Sequence, residues 1–180
     1  MERKKVLVPL NDKFDEIAAA SIVSILSKAG IDVTLAGIPG KIITSNEGMK
    51  IVTEKKIDDI DSTLFDALVL IGGKGYEALA QSAKIRNIIK TFDEDKKLIV
   101  AIGEASAVLS NVGILENKIA TITPGMEKML SRPRGGKIII DENVMTAKTP
   151  SESMEVAFKI IELMISKDKA NDIRAELTSE

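Results

Sequence analysis

The side chains that could do chemistry in this chain are few, because it contains neither cysteine nor histidine. Their absence removes disulfides, thiolate nucleophiles, imidazole acid–base catalysis and the usual zinc ligands. Serine, threonine, lysine, aspartate, glutamate and the single tyrosine, Tyr76, remain. None of these is a good nucleophile without an activating neighbour, so a catalytic hypothesis has to identify that neighbour. We expect no metal and no cofactor.

The stretch KKLIVAIGEASAVLSNVG, residues 96–113, is typical of a buried strand that breaks at Gly103 and continues into a helix. In many α/β enzymes a nucleophile occupies such a turn in a strained backbone conformation. Glycine adopts that conformation freely but brings no reactive group. Ser106 follows one turn later without a histidine to take its proton, so a serine nucleophile is disfavoured. Glu104 lies at the start of the helix, where a negative charge is stabilising.

A second glycine-rich turn, GGKGYEAL at residues 72–79, also lies between a predicted strand and a predicted helix. It lacks the spacing of both common phosphate-binding motifs, and Lys74 is followed by Gly75 where serine or threonine would be required. A tight strand-to-helix turn is therefore favoured over nucleotide binding. One further use stays open, in which exposed N–H groups of Gly72 and Gly73 form a pocket for an oxyanion or another small anion.

These turns belong to a chain in which short apolar runs alternate with segments of helical periodicity. The predicted strands are 4–10, 31–37, 67–73 and 98–103. Two helices are predicted, at 15–30 and 75–92. The first ends at Gly30, and its apolar positions are Ile17, Ile22, Ile25, Leu26 and Ala29. Residues 49–55 are predicted as a hairpin or an edge strand. Strand, glycine turn and helix in this order are the unit of a parallel sheet, so the fold class is α/β.

The predicted sheet also indicates where a ligand would bind. A parallel sheet places its ligand crevice beyond the carboxyl ends of its strands. The loops at 10–16, 72–77 and 103–107 follow three of those ends. We therefore expect these loops to face whatever is bound or transformed.

The last third of the chain continues the same plan. Residues 118–124 are predicted as a short strand, and 135–147 as a hairpin turned at Asp141-Glu142-Asn143. A closing helix is predicted over 149–166, with a capping box formed by Thr149 and Glu152. Residues 1–166 are predicted to form one domain, and 167–180 a polar C-terminal tail or short helix.

Charge and hydropathy narrow the classes of partner. The chain has 25 basic and 27 acidic residues, and no block of one sign is long enough for a nucleic-acid arm or a polybasic membrane patch. The beginning, MERKKVLVPL, has too short an apolar run for a signal peptide or a spanning helix. We expect a cytoplasmic protein with a small, roughly neutral partner, and neither nucleic acid nor membrane.

Four segments carry a resemblance to a known family: LVPLNDKFDEIAAASIVSILSKAGIDVTLAG, ALVLIGGKGYEAL, LIVAIGEASAVLSNVGIL and MTAKTPSESMEVAFKIIELM. In their order and spacing they resemble the ThiJ/PfpI superfamily, and within it the DJ-one branch of Parkinson's-disease protein deglycase and glyoxalase III. The resemblance covers nearly the whole chain. It implies a flavodoxin-like three-layer sandwich with a mostly parallel central sheet, like that of class I glutamine amidotransferases, and a homodimer.

The resemblance also implies where a reactive site would lie. The family has a cysteine at the elbow in a pattern like A-I-C-A-G, a glutamate from the first strand–helix segment, and often a histidine before a proline in a later loop. The matching positions here are Gly103, Ala18 and Thr123, so all three chemical groups are missing. The G-G turn of the family's oxyanion pocket is retained. The pocket residues expected from this match are Gly72, Gly73, Gly103 and Glu104.

Nearby acids do not replace the missing glutamate in this interpretation. Asp15 and Glu16 precede Ala18, but Glu16 is two residues away and faces another side of the helix. Both are interpreted as charges that stabilise the N-terminus of the helix.

Members of the family have been assigned glyoxalase III, protein deglycase, chaperone, peptidase and oxidative-stress roles. The parent activity implied here is thiolate chemistry on methylglyoxal-type carbonyls, and this chain is expected to be inactive by that mechanism. An alternative is an enzyme that uses Glu104, Lys74, Tyr76 or Lys148, although a solvated lysine is far commoner than one poised for a Schiff base. Another is a non-catalytic dimeric binding or chaperone (holdase) module that holds a small carbonyl or anionic ligand at Gly103.

Overall fold

A computed structural model describes residues 3–178 of the protein; the first two residues of the predicted leading segment and the last two of the predicted tail lie outside the described residues. The strands are β1 (Lys5–Asn11), β2 (Asp32–Ile38), β3 (Ile42–Thr44), β4 (Lys50–Val52), β5 (Lys55–Lys56), β6 (Ala67–Ile71), β7 (Leu98–Ile102), β8 (Ile138–Asp141) and β9 (Val144–Ala147). The α-helices are α1 (Glu16–Lys28), α2 (Tyr76–Gln81), α3 (Ala83–Glu94), α4 (Ala105–Val112), α5 (Ser153–Met164) and α6 (Lys167–Thr178).

The central sheet has the strand order β5-β2-β1-β6-β7-β9-β8. Its neighbours are parallel except for β8 and β9, which form an antiparallel hairpin at one edge. The strands β3 and β4 form a separate antiparallel hairpin. Helices cover both faces of the sheet, so the predicted flavodoxin-like α/β sandwich with a mostly parallel sheet is confirmed.

The inner strands divide their side chains between two cores. In β6, Ala67, Val69 and Ile71 belong to the core that includes α1 and α5, whereas Leu68 and Leu70 belong to the core that includes α3 and α4. All five are at most 1% exposed. Successive side chains of a strand point to opposite faces, so a strand covered on both sides requires an unbroken apolar run. Burial of each leucine or isoleucine contributes roughly 1.5–3 kcal/mol.

Several predicted boundaries are confirmed. Helix α1 ends at Lys28, Ala29 is its C-cap, and Gly30 follows with φ +83°. The capping box is present: the Glu152 carboxylate accepts from the N–H of Thr149 at 2.8 Å and from its hydroxyl at 2.6 Å. It caps a single turn of 3-10 helix, Pro150–Glu152, that leads into α5. The predicted edge pieces are also present, as β4 and β5 in the 49–55 region and as β8 and β9 in the 135–147 region.

The prediction of a strand at 118–124 is wrong. Within those residues, all of which the structure describes, Ala120 alone makes a bridge, to Pro133. The N–H of Ile119 donates to the Asp141 carboxylate at 2.8 Å, and the N–H of Thr121 donates to the Thr146 hydroxyl at 2.9 Å. Because side chains of β8 and β9 accept these N–H groups, the segment runs beside the hairpin as an extended loop.

The single helix predicted over 75–92 is two helices, and one of the apolar positions predicted for α1 is exposed, whereas Ile22, Ile25, Leu26 and Ala29 are buried as predicted. Ser82 has an extended backbone, and its hydroxyl accepts from the N–H of Ile85, so it ends α2 and caps α3. Ile17 was expected to face the core, but it is 63% exposed. The buried face of α1 consists of Ala18, Ala19, Ile22, Ile25 and Leu26.

Residues 167–178 form α6, which packs on α5. The guanidinium of Arg174 makes two hydrogen bonds to the Glu155 carboxylate, at 2.8 and 3.1 Å, and lies 4.1 Å from the ring centre of Phe158. Ala170 and Ile173 of α6 are buried. None of the helices within residues 3–178 is long and apolar enough to cross a membrane.

Candidate functional site

The three loops predicted to face a ligand lie together at the carboxyl ends of β1, β6 and β7. The N–H of Asp15 donates to the carbonyl of Gly72 at 2.9 Å, which joins the first loop to the second. The N–H of Gly73 donates to the Glu104 carboxylate at 3.0 Å, which joins the second loop to the third. The crevice expected from the sheet topology is therefore built from these residues.

Gly103 forms the sharp turn between β7 and α4. Its φ is +64°, and its N–H donates to the carbonyl of Ala147 at 2.9 Å. A Cβ at this position would lie 3.2 Å from the hydroxyl oxygen of Thr123. The backbone thus holds the left-handed conformation that a strained elbow residue would have, and it brings together two of the three positions that the resemblance identified.

Ala18, the third of those positions, is not in contact with the elbow. Among the described atoms outside the turn, Thr123 Oγ1 alone lies within 4 Å of a Cβ at Gly103. Ala18 is fully buried in the first turn of α1, and its N–H donates to the Asp15 side chain at 2.9 Å. Its methyl group belongs to the core beneath α1. Position 18 is therefore occupied by a core residue that offers no polar group to the crevice.

Glu104 has a different role from the helix-end charge predicted for it. It occupies the residue before α4, but its side chain makes no capping hydrogen bond to that helix. The carboxylate turns instead to the G-G turn, where it accepts from the N–H of Gly73. A Cβ on Gly72 would lie 2.5 Å from the carbonyl oxygen of Ile102 and 2.6 Å from this carboxylate, and because the carbonyl is backbone, only glycine fits there. The family pattern has alanine at the position of Glu104. An alanine side chain cannot accept a hydrogen bond, so the contact with Gly73 depends on the carboxylate that this chain has there.

The glycine-rich turn has no free pocket of N–H groups for an anion. All five N–H groups of residues 72–76 already donate within the protein. Their acceptors, in chain order, are Ile102 O, Glu104 Oε2, Asn46 Oδ1, Lys13 O and Gly73 O. The interpretation as a tight structural turn is supported, and the anion pocket at Gly72 and Gly73 stays a prediction that would require the Glu104 carboxylate to leave the Gly73 N–H.

The pKa values of Asp15 and Glu16 are shifted in opposite directions. Burial raises the pKa of Asp15; the N–H of Ala18 opposes this rise, and the charges of Glu16 and Glu104 add to it. The pKa of Glu16 is lowered, mainly by its own backbone N–H and by the Ser45 hydroxyl and the Glu47 N–H that it binds. Glu16 thus connects α1 to the β3–β4 turn and does not replace the family glutamate.

The other candidates for catalysis are placed separately. Lys74 is exposed and pairs with Glu47 at 3.2 Å, as a solvated surface lysine does. Tyr76 packs against the core that includes α3 and α4. Lys148 is half-buried and follows β9, next to Ala147. In the part of the chain that the structure describes, none of these three side chains makes a hydrogen bond to Gly73 or Glu104.

Two buried hydroxyls near the elbow are unpaired. Within residues 3–178, neither Ser106 Oγ nor Thr123 Oγ1 has a hydrogen-bond partner. Thr123 Oγ1 faces the space over Gly103, and Ser106 is fully buried in α4. An unpaired hydroxyl costs free energy when it is buried, so these atoms are unusual features of the site. The sequence gives no signal for them, since pairing depends on packing.

A strand–turn–helix elbow at positive φ, at the carboxyl edge of a mostly parallel sheet, defines a flavodoxin-like α/β protein with its candidate site at the elbow. Residues 4–163 match the DJ-1/PfpI family, and the chain belongs to that family. The structure is similar to that of oxidized DJ-1 from Toxoplasma gondii, with a TM-score of 0.93 and 30% identity over 97% of each chain.

Relatives in sequence agree with this assignment. Protein DJ-1 homolog A of Arabidopsis thaliana is 31% identical over 97% of this chain, and homolog B is 30% identical over 92%. This chain spans 46% and 39% of the length of those two proteins. A Caenorhabditis elegans protein named glutathione-independent glyoxalase DJR-1.2 is 28% identical over 93% of this chain and 91% of its own length.

Proposed function

We propose that this protein is a non-catalytic, homodimeric binding or holdase module of the DJ-1/PfpI family. It does not perform glyoxalase III or protein deglycase chemistry on methylglyoxal-type carbonyls. The parent reaction, as the resemblance implies it, begins with attack of a thiolate on the carbonyl carbon. Position 103 has no side chain to make that attack.

The observation that carries this proposal is the hydrogen bond from Gly73 N–H to the Glu104 carboxylate. When a nucleophile attacks a carbonyl, the oxygen becomes negative and requires a donor within about 3 Å. Here that donor is bound to an anionic side chain of the protein itself. A second negative oxygen in the same place would be repelled by Glu104, so the elbow disfavours both the nucleophilic attack and the stabilisation of its product.

The relation between Asp15 and Glu104 favours one competing function. The charge of Glu104 contributes to the raised pKa of Asp15, so two carboxyl groups with different surroundings share one crevice. Pairs of this kind supply a general acid and a general base in some enzymes. An enzyme that uses Glu104 as a base is therefore the second candidate.

Exposed apolar side chains of α1 and of the β3–β4 hairpin support the homodimer. Ile42 and Val52 are register partners in the β3–β4 hairpin, and both are largely exposed, as are Ile17 of α1 and Met49. The hairpin is joined to the start of α1 by the bridge between residues 14 and 45. We call Ile17, Ile42, Met49 and Val52 the α1–hairpin patch. Exposed apolar side chains that come together on a surface mark an interaction site.

The test of the proposal is conversion of methylglyoxal to lactate by the purified protein and by a variant that restores the family pattern. That variant is Ala18→Glu/Gly103→Cys/Glu104→Ala, which supplies the thiol and its carboxylate partner and frees the Gly73 N–H. We expect background turnover for the unmodified protein and measurable turnover for the triple variant. The double variant Ala18→Glu/Gly103→Cys, which keeps Glu104, is expected to be slower than the triple variant.

A matched control is Ala18→Glu/Gly103→Ala/Glu104→Ala, which differs from the active variant by the sulfur atom alone. Turnover by the unmodified protein above the rate of this control would overturn the proposal. If that turnover were abolished by Glu104→Gln, the result would establish the competing function with Glu104 as base. Equal rates for the control and the triple variant would show that position 103 is not the site of the family reaction in this chain.

A further inference from the structure

A second concave site lies beside the elbow, between the loop that contains residues 120–135 and the end of β9. It is a cavity of about 260 Å³. Its apolar lining comes chiefly from Ile122, Leu130 and Pro133, and its charged lining comes from Arg134, Lys148 and Glu127. Neither Gly103 nor Glu104 lines it. The cavity is therefore separate from the elbow. The two are neighbours in the chain, because Thr121 lines the cavity and Thr123, two residues later, faces the elbow.

The two cations of this cavity have no partner among residues 3–178. Neither Arg134 nor Lys148 makes an ion pair or a side-chain hydrogen bond in that part of the chain. Arg134 is exposed, whereas Lys148 is half-buried, so the loss of hydration concerns Lys148. A buried or half-buried charge is normally paired, because loss of hydration is otherwise uncompensated. Two unpaired cations that line one concavity create a positive potential there, which attracts an anion.

Backbone hydrogen bonds fix the positions from which these cations extend. The N–H of Arg134 donates to the carbonyl of Ala120 at 2.8 Å, and the N–H of Ala120 donates to the carbonyl of Arg132 at 3.2 Å. The N–H of Lys148 donates to the carbonyl of Lys137 at 2.8 Å. The hydrogen bond from the Thr121 N–H to the Thr146 hydroxyl joins the loop to the β8–β9 hairpin, so the two are held as one wall. A site built on fixed backbone loses less entropy when a ligand binds.

We propose that this cavity binds a small organic carboxylate with a short apolar chain. Arg134 and Lys148 bind the carboxylate, and Ile122, Leu130 and Pro133 cover the apolar chain. Glu127 opposes a ligand of high negative charge, although its carboxylate is already bound to the N–H of Gly125 at 2.9 Å. This balance favours a monoanion over phosphate. The proposal goes beyond the function proposed for the elbow and does not depend on it, since no elbow residue lines the cavity.

The experiment is calorimetric titration of the full chain with sodium butyrate and, separately, with inorganic phosphate, with ionic strength held constant by sodium chloride. We expect butyrate to bind more tightly than phosphate. A charge-assisted hydrogen bond contributes enough that Lys148→Gln and Arg134→Gln should each weaken butyrate binding about tenfold. Glu127→Gln keeps an acceptor for Gly125 but removes the negative charge, so it should tighten binding several-fold.

The control variant is Lys90→Gln, which makes the same change in net charge on exposed surface of α3, outside the cavity. It should leave the affinity unchanged. Absence of butyrate binding, or equal loss for Lys90→Gln and Lys148→Gln, would overturn the proposal. Tighter binding of phosphate than of butyrate would overturn the assignment of a carboxylate with an apolar chain. Methylglyoxal turnover by the unmodified protein would overturn the function proposed for the elbow and leave this result intact.

Discussion

The hydroxyl oxygen of Thr123 lies 3.2 Å from the point that a Cβ on Gly103 would occupy, and Gly103 has φ +64°. A side chain at this position meets both a close neighbour and an unfavourable backbone conformation. Gly103→Ala is therefore expected to lower the free energy of unfolding by roughly 1–2 kcal/mol. Urea unfolding at neutral pH, followed by circular dichroism, measures this change.

The control is Gly40→Ala, because a Cβ on Gly40 meets no described atom within 4 Å and its φ lies outside the left-handed range. There we expect little change, or a gain of roughly 0.4–1 kcal/mol from restriction of the unfolded chain. Similar losses at the two positions would show that the turn at Gly103 is not strained for other residues.

A second prediction concerns the fully buried Ser106, whose hydroxyl has no partner among the described residues. Ser106→Ala removes an uncompensated polar group and is expected to raise the free energy of unfolding by about 1 kcal/mol. The matched control is the buried Ser153, whose hydroxyl donates to the carbonyl of Pro150 at 2.7 Å. Ser153→Ala should lower the stability by about 1 kcal/mol. A loss of similar size at both positions would mean that Ser106 is hydrogen-bonded in solution.

The fold was predictable from local patterns because its strands are covered on both faces. The apolar runs that became β1, β6 and β7 need no alternation, and a glycine turn follows β6 and β7. The errors occurred where a side chain took over a backbone hydrogen bond. Ser82 binds the N–H of Ile85 and divides a helix, and Asp141 binds the N–H of Ile119 and prevents a strand. The periodicity of apolar residues does not indicate which polar side chains compete for backbone hydrogen bonds in this way.

The candidate site was predictable in position but not in detail. Strand ends and family resemblance placed Gly103, Gly72 and Gly73 in one crevice, and the loops do lie together there. The contact between Gly73 and Glu104 joins residues 31 apart in the sequence, and no local rule indicates it. The same holds for the N–H groups of Gly72, Lys74 and Gly75, whose acceptors are also distant in the sequence. The sequence patterns therefore identified a turn with several N–H donors. In the folded chain those donors bind acceptors of the protein itself.

The raised pKa of Asp15 predicts a pH dependence of stability. Burial, aided by the charges of Glu16 and Glu104, makes the folded protein hold this proton to a higher pH than the unfolded chain. The contribution of Asp15 to stability is therefore complete below about pH 4, its ordinary pKa, and is lost as the pH rises through the folded value. Asp15→Asn keeps an acceptor for the Ala18 N–H but has no charge. Its stability relative to the unmodified protein should rise between about pH 4 and pH 7.

Urea unfolding of both proteins has to be compared across that range. The pKa values of Glu155 and Glu152 are lowered, so in each protein these two groups make the stability rise with pH, opposite to the effect of Asp15. The difference between the two proteins removes this shared trend. Glu104→Gln in both backgrounds tests the contribution of the neighbouring charge, and the gain from Asp15→Asn should then be smaller. A stability difference that does not vary with pH would contradict a raised pKa at Asp15.

We predict a homodimer that buries the α1–hairpin patch and that dissociates when one charge is introduced into the patch. Val52 is 73% exposed and lies beside Ile42 in the hairpin. An apolar groove of about 160 Å³ lies between α1 and β4, and it is lined by Met49 of the patch together with Val23 and Ile51. In a dimer that buries this patch, Val52→Asp would place an unpaired carboxylate in an apolar contact, which costs several kcal/mol and should give a monomer. Sedimentation velocity at micromolar concentration measures the mass of the unmodified protein and of the variant.

Leu64→Asp is the matched control, because Leu64 is 60% exposed and lies outside the patch, so it should leave the dimer intact. A monomeric unmodified protein would exclude the homodimer, and a dimer that survives Val52→Asp would place its interface on another surface.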